Sequence, residues 1–296
     1  MYGYPAVGVS LPEYTTVRLG DSALPEWDVG TIPLADRDGV IALLARLEEI
    51  LPGFRSGGRR RVRVQSGVAR MAGFGSSAAL CGAFARAALA HAGEEAGEDV
   101  TRAWSLAHQA ERLFHGTPSG VDTGLALLGG TCVLRPRPPG LPEYRRIPGR
   151  ALHLVVGALQ RDAACAALVA GLAARVRSGD RAVRASIDAL GGIAASAGET
   201  LSEGGARIAE ALGALASRAM DHLRALGLSN SAQDSLLEAA AAAGALGGKL
   251  SGAGGGGAFY AIARDAEAAS LIASRVQTEA AESGIVLAST LRVIEV

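Results

Sequence analysis

Residues 249–259 read KLSGAGGGGAF, with Gly254, Gly255, Gly256 and Gly257 in an unbroken row. Glycine gives up more backbone freedom on folding than any other residue, so four together are costly unless the chain needs them. A slack linker is one use for such a row; close approach of a ligand to the backbone is another. The flanks favour the second use. An apolar stretch of helical character, AAAAAGALGG, precedes the row, and a strand-like AFYAIA follows it. A loop that hugs phosphate accounts for the glycines better than a hinge between packed elements does.

The rest of the composition narrows the partners. Basic and acidic residues cancel at 29 each, which speaks against a polyanion as the main ligand. Aromatics make up only 4% of 296 residues, so any core must be built from Ala, Leu and Val. The basic run GRRRVRV, with Arg59, Arg60, Arg61 and Arg63 and with Arg55 upstream, alternates Arg with Val62 and Val64. That is a strand with one wet face rather than a nucleic-acid patch. Cys81, Cys132 and Cys165 are odd in number and far apart, so neither a disulfide framework nor a CxxC metal pair follows. The N-terminus lacks the basic and apolar regions of a signal peptide, and nothing approaches the roughly eighteen apolar residues of a bilayer span. A cytoplasmic location and no membrane partner are expected. Lys249 is the only lysine, against abundant Arg.

Strand-like runs open the chain (PAVGVSLP, YTTVRL, RVRVQSGVARM), with helical spacing at 41–51. A helix is expected from Ser76, after Gly73 and Gly75, and a second over DVTRAWSLAHQAERLFHG, stopped by Gly116 and Pro118. Prolines then break the pattern around 135–150, the expected domain boundary. A strand at 151–159, alanine-rich helices, the glycine row, and two strands around a further helix complete a mixed α and β chain in two lobes, 1–148 and 149–296.

Two more segments can carry chemistry. AGFGSSAAL (72–80) places glycines and hydroxyls at a helix entrance, where unpaired N–H groups and the helix dipole suit a phosphate. It is neither GxxxxGK[ST] nor GxGxxG, and an ordinary capped helix start is the plainer reading of it alone. In AERLFHGTPSGVDTG (110–124), Glu111 falls on a helix one turn from its end and Asp122 in a turn after Pro118, Ser119 and Gly120. Two acids in one neighbourhood suit Mg²⁺ ligation and acceptance of a hydroxyl proton, although a solvated Glu and a turn Asp are equally ordinary. His115, at the helix end, reads as a partner of the helix dipole and stays outside the site.

Taken together and in this order, GFGSSAAL, HGTPSGVD and KLSGAGGGGAF resemble the three blocks of the GHMP small-molecule kinases, and HGTPSGVDTG is similar to the mevalonate kinase branch. The start, MYGYPAVGVSL, and the stretch LRALGLSNSAQDSLLEAAAAAGALGGKL extend the resemblance over nearly the whole chain. It implies an α+β fold of two lobes, S5-like and ferredoxin-like, around a cleft. It also implies ATP-dependent phosphorylation of a small-molecule alcohol, with ATP and Mg²⁺ as cofactors. The favoured substrate is mevalonate, converted to 5-phosphomevalonate in isoprenoid biosynthesis. The alternatives are another substrate, a sugar or phosphomevalonate, or a non-catalytic nucleotide-binding relative. A homodimer is compatible with it. By motif position, Gly73, Gly75, Ser76 and Ser77 would cradle the phosphates, and Ser77 and Glu111 would bind the metal. Asp122 would face the substrate hydroxyl, and Gly254, Gly255 and Gly256 would close on the phosphates.

The pattern also departs from the family. Its first block, with a lysine near the reacting phosphate and a Glu–His pair near the substrate, has no counterpart in the sequence. Ala164 and Cys165 stand where the family carries a Ser/Thr–Lys pair, Arg70 where proline is usual and Phe74 where leucine is usual. Loss of charge-stabilising groups costs on the order of 10² to 10⁵ in rate. An N-terminus clipped from a longer chain is the expected reason for the missing block; it does not account for Ala164 and Cys165.

Overall fold

The computed structural model describes residues 3–23, 26–56, 60–94, 100–149, 152–160, 165–252 and 254–295. Arg59, Ala164 and Ala253 lie outside them, as do the side chains of Arg55 and Cys165. The chain divides into two compact units, one formed by Met1–Gly3, Ser10–Val68 and Gly75–Tyr144, the other by Tyr4–Val9, Ala69–Phe74 and Arg145–Val296.

After β1 (Ala6–Val9), which belongs to the second unit, the first unit begins with β2 (Thr15–Gly20). It continues through α1 (Leu34–Ile50), α2 (Pro52–Ser56) and β3 (Arg61–Ser66). The latter pairs antiparallel with β2 in the register Thr15 with Ser66 to Gly20 with Arg61. Val62 is buried and Arg63 exposed, the one wet face that the Arg–Val alternation required. On α1 the buried residues are Val40, Leu43, Leu44 and Leu47, a stripe of helical period that seals against Phe54 and Phe84 in the core. Three helices follow: α3 (Ser76–His91), α4 (Thr101–His115) and α5 (Val121–Leu128). They pack on one another, α3 approaching α5 where Gly82 leaves room for Leu127. The strands β4 (Thr131–Arg137) and β5 (Gly140–Ile147) pair next in the proline-containing stretch.

The second unit runs β6 (His153–Leu159), α6 (Cys165–Arg177), α7 (Arg181–Glu203), α8 (Ile208–Ala225), α9 (Ser231–Ala242), β7 (Gly247–Leu250), β8 (Ala258–Ala263), α10 (Ala266–Glu282) and β9 (Leu287–Glu295). Helix starts are set by short polar side chains: Asp180 accepts from the amides of Ala182 and Val183, Asn230 from Gln233, and Asp265 from Ala268. The sheet order is β7-β8-β6-β9 with antiparallel neighbours throughout. Helices connect β6 to β7 and β8 to β9, which makes this the split βαβ arrangement of ferredoxin-like domains. Leu236, Phe259, Ile272 and Val276 sit at the centre of its core.

AAAAAGALGG does not remain helical to its end. α9 stops at Ala242, Gly244 takes φ +93°, and Gly247 begins a strand. The reason is a close approach: a methyl on Gly213 of α8 would overlap the Leu246 carbonyl, and one on Gly247 would overlap the Gly213 carbonyl. Among the described residues, no helix is long and apolar enough to cross a membrane.

A paired substitution tests this contact. Gly→Ala inside a helix ordinarily gains about 0.5–1 kcal/mol, and Gly192→Ala on α7, with open space around it, should stabilise by that amount. Gly213→Ala should instead destabilise by about 1–3 kcal/mol, because the backbone it meets cannot step aside. Urea midpoints of the two variants measure the difference, and an equal gain at both sites would refute the close contact.

Candidate active site

Helix α4 buries Ala103, Trp104, Leu106, Ala107, Ala110 and Glu111. Glu111 therefore lies within the apolar stripe, seven residues after Trp104 and four after Ala107, and is only 2% exposed. It is not the solvated helix residue that its type alone would make it. Burial comes first among the causes that push its carboxyl up to about 8, with the charge of Asp122 second, while a hydrogen bond from Thr123 works against them. Asp122 itself is exposed and stands in the first turn of α5, not in a free turn. The apolar surroundings and the Asp122 charge both favour the protonated form of Glu111.

Two glycines and a tryptophan set Asp122 in that position. Gly120 caps α5 with φ +76°, a conformation that favours glycine, and the buried Trp104 indole N–H donates to its carbonyl at 2.9 Å. A methyl on Gly124 would run into the Trp104 ring. The indole fills the notch that Gly124 leaves and ties α5 to α4, so the segment PSGVDTG is held on the helix that carries Glu111.

At the other end of α4, His115 projects on the same face as Glu111, one turn on. Its Nε2 lies 2.9 Å from Ser77 Oγ on the first turn of α3. Ser77 and Glu111 are thus linked through a single helical turn. The hydroxyls of Ser76 and Ser77 do not cap α3; its cap is Gly75 at φ +70°, which has no side chain to bond the first amides. Cys81, one turn along α3, is fully buried, and its thiol is pushed up by burial and then by the Glu111 charge, so it is inert. Ser76, Ser77, Gly75, Glu111 and Asp122 all belong to the first unit; Gly73, at φ +84°, belongs to the second.

The glycine row forms the loop of the β7–β8 hairpin. Gly254, Gly255, Gly256 and Gly257 take φ +82°, +71°, +90° and +85°. Ser251 N–H donates to Ala258 O at 2.8 Å to close the hairpin, Gly255 N–H to Leu228 O at 2.9 Å, and Gly257 exchanges two hydrogen bonds with Leu159. A methyl on Gly254 would overlap the Leu228 carbonyl. The row is a pinned loop, not a linker.

The sequence placed His115 outside the site as a dipole partner and gave no sign of Trp104 or Gly124. The i, i+4 spacing from Glu111 to His115 could have flagged the first; the tertiary contacts of the other two have no local signature. Among the described residues, no group of three or more His, Cys, Asp or Glu could hold a metal on protein ligands alone. The Glu111 carboxyl and the Ser77 hydroxyl are hard oxygen donors, the type that Mg²⁺ takes. That ion takes one or two carboxylates and fills its remaining positions with water and phosphate.

The profile of the GHMP kinases N terminal domain matches residues 38–130, and that of the GHMP kinases C terminal matches residues 205–282. The chain belongs to the GHMP kinase family. Its GHMP kinase relatives include the mevalonate kinase of Pyrococcus furiosus, 30% identical over 206 residues, 69% of this chain and 59% of that enzyme. The mevalonate kinase of Methanothermobacter thermautotrophicus is 26% identical over 266 residues, 88% of this chain and 84% of that enzyme. The chain spans about three fifths of the length of the first relatives it matches. In structure it is similar to L. major mevalonate kinase in complex with R-mevalonate, with a TM-score of 0.80 at 24% identity, over 99% of this chain and 89% of that one. Streptococcus pneumoniae phosphomevalonate kinase gives 0.74 at 15% identity, over 99% and 94%. Both likenesses concern the GHMP fold.

The raised Glu111 carboxyl has a pH signature. The folded state keeps a proton that the unfolded chain releases above 4.5, so stability falls as pH rises from 4.5 to about 8. Glu111→Gln should remove that fall and gain on the order of 3 kcal/mol at the upper end. Urea midpoints at three pH values across the window read it out; parallel slopes for the two proteins would contradict the burial argument.

Proposed function

We propose that the chain is an ATP-dependent kinase that phosphorylates the primary alcohol of mevalonate, giving 5-phosphomevalonate for isoprenoid biosynthesis. The observation that carries the reading is the buried Glu111 in the field of Asp122, one helical turn before the His115 that meets Ser77 in the first turn of α3. The names of the sequence relatives support the substrate.

In this reading residues 1–148 form the lobe that holds the phosphates, the metal and the acid, and residues 149–296 the lobe with the glycine hairpin. Gly73, Gly75, Ser76 and Ser77 receive ATP phosphate oxygens, using first-turn amides of α3 and the helix dipole. Ser77 and Glu111 hold Mg²⁺, which when bound neutralises phosphate charge. Glu111 is ionised in that state, since a cation offsets the repulsion that raises its carboxyl. Asp122 orients the substrate hydroxyl and takes its proton on a carboxylate oxygen, as the oxygen bonds to the γ-phosphorus and ADP leaves. Gly254, Gly255 and Gly256 admit phosphate to within hydrogen-bonding distance of the main chain. Transfer of this kind is mostly positioning and charge neutralisation, so few residues suffice. We place the activity in the cytoplasm, in a chain that pairs as a homodimer.

ADP release with ATP, Mg²⁺ and mevalonate tests the proposal, with phosphomevalonate and a sugar as competing acceptors. Asp122→Asn should cut turnover by about 10²- to 10⁴-fold and leave nucleotide affinity within a few-fold. Undiminished turnover in that variant would remove Asp122 from the chemistry; no ADP release with any acceptor, with ATP bound, would favour a non-catalytic binder.

A further inference from the structure

Lys249, the only lysine of the chain, sits on β7 directly opposite Tyr260 of β8. Its Nζ lies 5.3 Å from the centre of the Tyr260 ring and donates at 2.6 Å to the carbonyl of Leu250, the last residue of β7. Strand alternation turns Lys249 away from the core that Leu250 enters. Among the described residues no carboxylate pairs with it, and burial alone pulls its ammonium down to about 8. The same burial pushes the Tyr260 phenol up to about 12, so the tyrosine supplies a ring face and no charge.

Lys249 is half-buried, and an ammonium that has given up part of its water with no carboxylate beside it among the described residues is a ready seat for an anion. An ammonium has three donors; the Leu250 carbonyl takes one of them here. After Ser251, Gly252 and Ala253 in the sequence, the backbone enters four glycines of positive φ, where no side chain keeps a ligand from the main chain. We infer that Lys249 is the charged member of the glycine hairpin, and that its missing counter-ion is a phosphate group of the ligand the hairpin receives. The inference rests on the nucleotide reading above but not on turnover.

The single lysine makes the test site-specific. The intact wild-type protein is treated at pH 8 with an amine-acylating reagent, with and without saturating ATP, and the Lys249 peptide is followed by mass spectrometry apart from the terminal amine. ATP should slow acylation of Lys249 by about tenfold or more, the effect of a charge-assisted bond to phosphate. Adenosine, which lacks phosphate, should give no protection. In parallel, Lys249→Met should weaken ADP binding about tenfold or more, with Lys249→Arg recovering part of the loss and adenosine affinity unmoved. Bound ATP that leaves the acylation rate unchanged overturns the inference, with or without a folded Met variant. Protection without ADP release would sink the kinase reading and keep Lys249 as a phosphate ligand; ADP release without protection would do the reverse. No ATP binding by the wild type would overturn both.

Discussion

The hydrogen bond from the Trp104 indole to the Gly120 carbonyl is the contact on which the candidate site depends. One end of that bond is in the core, on the stripe of α4 that also carries Glu111; the other is the residue that starts α5. Because the ring also occupies the notch at Gly124, α5 is fixed both at its cap and one turn further on. A carboxylate at the surface is thereby held over a carboxyl in the interior. Two acids so placed repel each other, and the fold tolerates this because the apolar packing around Trp104, Leu106 and Phe84 is sufficient to hold the helices together. A cation brought between them would turn that strain into attraction.

The two units use glycine in different ways. In the first, Gly82 and Gly124 allow side chains of neighbouring helices to come close. In the second, Gly213 and Gly247 bring backbone against backbone, and the hairpin they brace carries the glycine row. The scarcity of aromatics fits this economy: where helices approach through small residues, few large side chains are needed to fill the space.

Much of this was legible in the sequence, because periodicity is local. The stripe on α1, the alternation on β3 and the helix starts at Ser76 and after Asp265 are all set by near neighbours in the chain. The acids could be picked out by residue type and motif resemblance. Their inequality could not, since the burial of Glu111 and the exposure of Asp122 depend on which helices meet. The same holds for the end of α9. Ala243 and Ala245 are good helix formers, but the backbone contact between Gly213 and Gly247 decides that a strand follows. His115 read as a dipole partner because its serine lies thirty-eight residues away.

The glycine hairpin has one further property. From Gly254 to Gly257 the backbone follows torsions of the hand opposite to that preferred by L-residues. For four consecutive positions the genetic alphabet offers one achiral letter and no synonym at the protein level. A side chain at any of the four would carry the strain of that hand, so substitution here meets a resistance that an ordinary surface turn does not offer.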